Sequence, residues 1–96
     1  MTPDIFIEFC GALHQDTFVI YSNFDLLVRD FLHGRSVEDL QVLSSFSENI
    51  LNSNLGVGEL EEYFVSCGSQ LLMGGRYFDL LELLKGMSAN MIMQSN

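Results

Sequence analysis

Basic residues are scarce in this chain. Four Lys or Arg stand against thirteen Asp or Glu among 96 residues, a formal charge of −9 at pH 7, and the isoelectric point is near 4.2. Recognition of nucleic acid through its phosphates needs a Lys/Arg footprint, and an anionic lipid surface repels acid, so neither is an expected partner. Cysteine is scarce too. Cys10 and Cys67 are the only two, both in apolar surroundings and without metal-ligand spacing. A small secreted scaffold usually carries four or more, so two free, buried thiols in a reducing cytosol are expected. No basic segment opens the chain, and Asp4 and Glu8 interrupt the apolar stretch 5–13, which excludes a signal-peptide reading. No apolar run approaches the ~20 residues of a membrane helix. The expected location is cytoplasmic.

Strand-forming sequence is nearly absent. Residues 17–21, Thr-Phe-Val-Ile-Tyr, are the one β-favouring run, and a single strand has nothing to pair with. They are expected to be an extended, core-covering connection. Catalytic and ligand-binding patterns are missing as well. His14 and His33 lie outside any metal spacing, and Cys10 with His14 lacks the electropositive setting a thiolate needs. Gly56-Val57-Gly58 follows no strand and leads into Glu59, Glu61 and Glu62, which would repel a phosphate. Gly74-Gly75-Arg76 reads as a turn, and paired acids such as Glu38 and Asp39 do chemistry only in a cleft that splits their pKa values. No enzyme activity, metal or cofactor is expected.

What is present is helical amphipathicity. The chain is 48% hydrophobic with a mean hydropathy of +0.24, too apolar for disorder. It has the length of one domain, residues 1–96, with an expected folded surface of ~5,500 Å² and roughly 65% of the open chain's surface buried. Apolar residues at i, i+3 and i+4 predict five helices in an antiparallel, all-α array without a sheet. Thr2 caps the first, about residues 3–13, with Pro3 at its first position and Ile5, Phe6, Phe9, Cys10 and Leu13 inward. Ser22 or Asn23 caps the second (23–33), which His33-Gly34 closes. The third (37–52) opens on Ser36-Val37-Glu38-Asp39, close to a capping box, and as the longest helix it should hold Phe46 mid-core. The fourth (58–67) buries Leu60, Phe64 and Cys67. The fifth (76–87) buries Tyr77, Leu80, Leu81 and Leu84. For the tail 88–96 two outcomes are open, an added turn through Met91 and Ile92 or fraying.

The acids fall mostly off these apolar stripes, so they form a solvated surface that suits a basic partner. One local pattern sharpens that. Phe9-Cys10-Gly11-Ala12-Leu13-His14-Gln15-Asp16-Thr17 resembles the "aromatic, small, aromatic, His-Gln-Asp-Trp" motif of the small helical immunity proteins that accompany bacterial contact-dependent growth-inhibition toxins. Leu13 stands where that family carries an aromatic, and Thr17 where it carries Trp. The later order of elements is also similar. Glu59-Leu60-Glu61-Glu62-Tyr63-Phe64 leads to Cys67-Gly68, and a closing helix carries Tyr77-Phe78-Asp79-Leu80-Leu81. The resemblance covers about residues 5–87.

It implies a cytosolic protein that binds the C-terminal toxin domain of a large exported effector, one to one. Such toxins are commonly nucleases with basic clefts, which an acidic cover can block without chemistry. The candidate contact residues are Glu59, Glu61 and Glu62 with Tyr63, then Asp16, Glu38 and Asp39. His14, Gln15 and Asp16 have a second reading as a turn in which Asp16 accepts backbone N–H bonds. The alternative function is a helical adaptor that docks a basic or amphipathic protein partner through Met87, Met91, Met93 and exposed apolar residues.

Overall fold

Two of the helices begin where a short polar side chain satisfies a free amide of the first turn. The computed structural model describes residues 2–95, with the side chains of 18, 19 and 95 outside that description. Helix α1 spans Asp4–Gly11, α2 Thr17–Ile20, α3 Phe24–Leu32, α4 Val37–Leu51, α5 Val57–Ser66 and α6 Arg76–Ser95. Five of these are longer than one turn. No strand occurs among the described residues. The all-α expectation holds.

Asn23 Oδ1 accepts the Leu26 N–H at 2.9 Å to start α3, and Ser36 Oγ accepts the Asp39 N–H at 3.1 Å to start α4. Gly56 has no side chain to offer α5, so the Glu59 carboxylate reaches back to the Gly56 N–H at 3.2 Å. Gly34 ends the α3 region at φ +79° and Gly68 follows α5 at φ +117°, backbone that favours glycine.

Five details differ from the sequence-based expectation. Pro3, not Thr2, sits at the cap of α1. The Thr2 hydroxyl is engaged elsewhere, on the Tyr63 hydroxyl.

Residues 17–20 are one helical turn rather than an extended connection; only Tyr21 is extended. Without a partner strand the turn satisfies its amides locally, Ile20 N–H to Asp16 and Tyr21 N–H to Thr17, which outweighs β-propensity. Whether the side chains of Phe18 and Val19 cover the core lies outside the described residues.

The tail does not fray: α6 continues through residue 95 as the longest helix, 20 residues. Ser88 is buried, and Met87, Met91 and Ile92 pack against the core. Finally, Phe46 packs against the core without entering it. Cys67 is likewise half-buried, beside a fully buried Cys10.

The most extensive helix–helix contact joins α4 to α6, and α3 also lies against α6. The core joins Phe6, Phe9, Leu13, Val28, Leu43, Leu60, Phe64, Tyr77 and, from α6, Leu80, Leu81 and Leu84, all fully enclosed. Its aromatic members form a chain. Phe46 and Phe6 have ring centroids 4.8 Å apart, Phe6 and Phe64 5.3 Å, and Phe64 and Tyr77 4.2 Å. Such pairs add ~0.5–1.5 kcal/mol beyond the area they bury. The accessible surface, 5610 Å², matches the value expected from chain length.

Candidate functional site

Two regions of surface concentrate polar chemistry. The first belongs to α4 and α5. Glu38, Val42, Ser45 and Asn49 recur at helical spacing and line a shallow groove of about 360 Å³, with Phe46 in its wall. Leu55, Glu59, Glu62, Tyr63 and Ser66 line a second groove of about 410 Å³. The Phe46 and Tyr63 rings, one from each groove, lie 6.4 Å apart, and both rest on Phe6. The two grooves therefore meet at a half-buried aromatic pair flanked by carboxylates. Burial pushes the Tyr63 phenol above its ordinary range, against the opposing pull of its bond to Thr2. Residues 36–75, which supply this surface, contain Glu38, Asp39, Glu48, Glu59, Glu61 and Glu62 and no Lys, Arg or His. No cation within that stretch dilutes its field.

The acids named from the sequence do not form one cluster. Glu59 and Glu62, three apart, share the second groove. Glu61, two residues from Glu59, lies off that face, as helical geometry requires. Its carboxylate accepts the Gly74 N–H at 2.9 Å and fixes the turn that enters α6. The expectation of a single Glu59–Glu61–Glu62 face is corrected: Glu61 holds the fold together. Glu38 lines the first groove. Asp39 is half-buried at the start of α4, where its N–H meets Ser36. Asp16 is exposed and separate.

The His14-Gln15-Asp16 turn is organised by its neighbour. Thr17 is buried, and its hydroxyl accepts the His14 N–H at 2.9 Å while donating to the Ala12 carbonyl at 2.8 Å. His14 Nδ1 accepts the Asp16 N–H at 3.2 Å. The Asp16 side chain makes no cap bond to α2, so the capping role expected of Asp16 belongs to Thr17. Gln15 is exposed.

The second region lies between the end of α1, α2 and α3, a cleft of about 520 Å³ whose walls include His14, Tyr21, Asp30, Phe31, His33 and Arg35. Both histidines of the chain meet here although nineteen positions separate them, which is why no sequence spacing announced it. The polar groups are largely engaged with one another. The Tyr21 hydroxyl donates to Asp30, and that bond holds the Tyr21 phenol above its ordinary range. Arg35 pairs with Glu8 at 2.6 Å, donates Nε–H to the Phe31 carbonyl at 3.0 Å and stacks on the Phe31 ring at 4.4 Å. Leu26 and Arg29 line an adjoining hollow with Tyr21 and His33.

Among the described residues, no group of three or more His, Cys, Asp or Glu is placed to hold a metal ion. Burial pushes the Cys10 thiol far above its ordinary range, which suppresses the thiolate that nucleophilic chemistry needs. No described helix is long and apolar enough to cross a membrane. Of the tail methionines, Met87 and Met91 pack against the core and Met93 is exposed. No family model matches the chain, and no curated protein or solved structure is significantly similar to it.

Proposed function

We propose that this chain is an immunity protein of the contact-dependent growth-inhibition type, which neutralises one cognate toxin domain, a nuclease, by covering its basic cleft with the α4–α5 face. The observation that carries the reading is the Phe46–Tyr63 pair set between Glu38 on one side and Glu59 and Glu62 on the other. A half-buried aromatic centre with a charged rim is how a stoichiometric inhibitor divides its work. The carboxylates draw a basic partner in and set the register, and the packed rings slow its departure. The resemblance over residues 5–87 and the net charge of −9 support the same reading. Catalysis plays no part in it.

The partner to test is the C-terminal domain of a large exported protein encoded beside this chain. Its association rate with the immunity protein should fall steeply as salt rises, since steering acts only within a Debye length of ~8–10 Å. Its dissociation rate should change less. A Glu59→Lys/Glu62→Lys variant should remain folded yet lose affinity and cell protection, whereas Glu61→Lys should lose stability through the Gly74 contact and keep its affinity when folded. Unchanged affinity in the folded double variant would remove this face from the mechanism.

A further inference from the structure

The mechanism above makes no use of the two cysteines, yet the fold brings them together. Cys10 ends the buried stripe of α1 and Cys67 caps the C-terminus of α5. Cys67 is near enough to act on the Cys10 thiol and the Tyr63 phenol, helping to push both up. The backbones cross closely beside them. A Cβ built on Gly68 would sit 3.9 Å from Gly11 N, in ordinary contact. Just beyond, the Gln70 N–H donates to the Leu13 carbonyl at 2.7 Å. Two cysteines more than half the chain apart thus stand side by side at a pinned crossing, one enclosed and one half-exposed.

We propose that Cys10 and Cys67 are a dithiol modification site, which closes to an intramolecular disulfide when a small-molecule disulfide oxidant reaches the protein. Cys67, the accessible sulfur, attacks first. Its thiolate forms a bond to one sulfur of oxidised glutathione and expels the other half as a glutathione thiolate. The Cys10 sulfur, on losing its proton to water, then attacks the Cys67 sulfur and expels the second glutathione thiolate. Two cysteine thiols are oxidised by two electrons, one glutathione disulfide is reduced to two thiols, and the protons released end on those products. Cys10 is fully enclosed and Cys67 only half-buried, so the oxidant reaches Cys67 first and Cys10 is left to resolve the adduct. In a reducing cytosol the pair stays open. On oxidation the ends of α1 and α5 become covalently joined. The site does not depend on the identity of the toxin.

The test treats the reduced, folded protein at low concentration with oxidised glutathione and follows intact mass after acid quench. The expected product is a monomer lighter by two hydrogen atoms, with a peptide map joining the Cys10 and Cys67 fragments. Its melting temperature should rise by roughly 10 °C, because the cross-link closes a long loop. A glutathione adduct that persists on Cys67, a disulfide-linked dimer, or no reaction while the protein is folded would each overturn the proposal. In Cys10→Ala the reaction should stop at the Cys67 adduct, and its absence there would overturn Cys67 as the attacking sulfur. The wild-type measurement decides the matter whether or not that variant folds.

Discussion

The α4–α5 face and the α1–α3 cleft differ in what their charges are doing. In the cleft, Asp30 is engaged by the Tyr21 hydroxyl, and Arg35 by the Glu8 carboxylate and by the ring and carbonyl of Phe31. Charged groups there close on neighbouring elements. On the α4–α5 face, Glu38, Glu59 and Glu62 have no Lys, Arg or His within residues 36–75 to answer them. The Glu59 carboxylate reaches only a backbone amide. Uncompensated like charge destabilises a compact chain, whereas an internally matched cluster contributes to it or costs little. A cavity's size therefore misleads here: in the larger hollow Asp30 and Arg35 are already engaged, whereas no cation within residues 36–75 answers the carboxylates of the shallower grooves.

The half-exposed aromatics offer the strongest test of that contrast. Each region rests on an enclosed phenylalanine, Phe6 under the face and Phe9 under the cleft, and each presents a second ring, Phe46 and Phe31. Truncating either buried ring, Phe6→Ala or Phe9→Ala, should cost ~3–5 kcal/mol by chemical denaturation. Phe46→Ala and Phe31→Ala should each cost less, ~1–2 kcal/mol, because part of each ring is already in water. Only Phe46→Ala should also weaken toxin binding. Equal loss of affinity from Phe31→Ala would erase the distinction between the two regions.

Charge reversal sharpens it next. Glu59→Lys/Glu62→Lys should slow toxin association by roughly 10- to 100-fold at low salt. The charge-matched Asp16→Lys/Asp25→Lys, at two exposed acids outside residues 36–75 (Asp25 in the first turn of α3), should change it by only about 2- to 3-fold, through net charge alone. Stopped-flow rates across a salt series separate the two outcomes.

A smaller effect concerns the turn beside the cleft. Thr17→Val removes the acceptor for the His14 N–H and the donor to the Ala12 carbonyl, at a cost of ~1–3 kcal/mol. Asp16→Asn, which loses no side-chain cap, should stay within ~0.5 kcal/mol of the parent. The reverse ranking would restore Asp16 as the residue that turns the chain.

The smallest effect is spectroscopic. All three tyrosines titrate above the ordinary phenol value of 10.0, for different reasons. Hydrogen bonding to Asp30 comes first for Tyr21, and burial comes first for Tyr63 and Tyr77. A raised folded-state pKa means the native chain keeps these protons longer than the unfolded chain does. The associated stability is present below pH 10 and is lost as pH rises through the folded values. Phenolate absorbance should therefore appear late, with alkaline unfolding. Asp30→Asn should bring one tyrosine back toward the ordinary value and leave two in place.

Much of this molecule was legible in the chain because it depends on neighbours in sequence. Asn23 and Ser36 start helices as their short polar side chains dictate, and the leucines of α6 fall on the face their 3.6-residue period assigns. Both are local properties: a cap reaches three residues and a stripe repeats within one turn. The acidity was equally plain.

Other features depend on what lies across the fold. Residues 17–21 read as an extended connection, and only the folded backbone shows the local turn that closes at 17–20. Residues 88–92 read as a tail, with Ser88 and Asn90 weakening the pattern, until packing carries the helix on. Glu61 looked like its two neighbours until Gly74, thirteen residues away, took its carboxylate. Phe46 and Tyr63, Cys10 and Cys67, and His14 and His33 are each far apart in the chain. Their meetings are set by how helices pack and cross, and side-chain spacing along one helix carries no record of which other helix will lie against it.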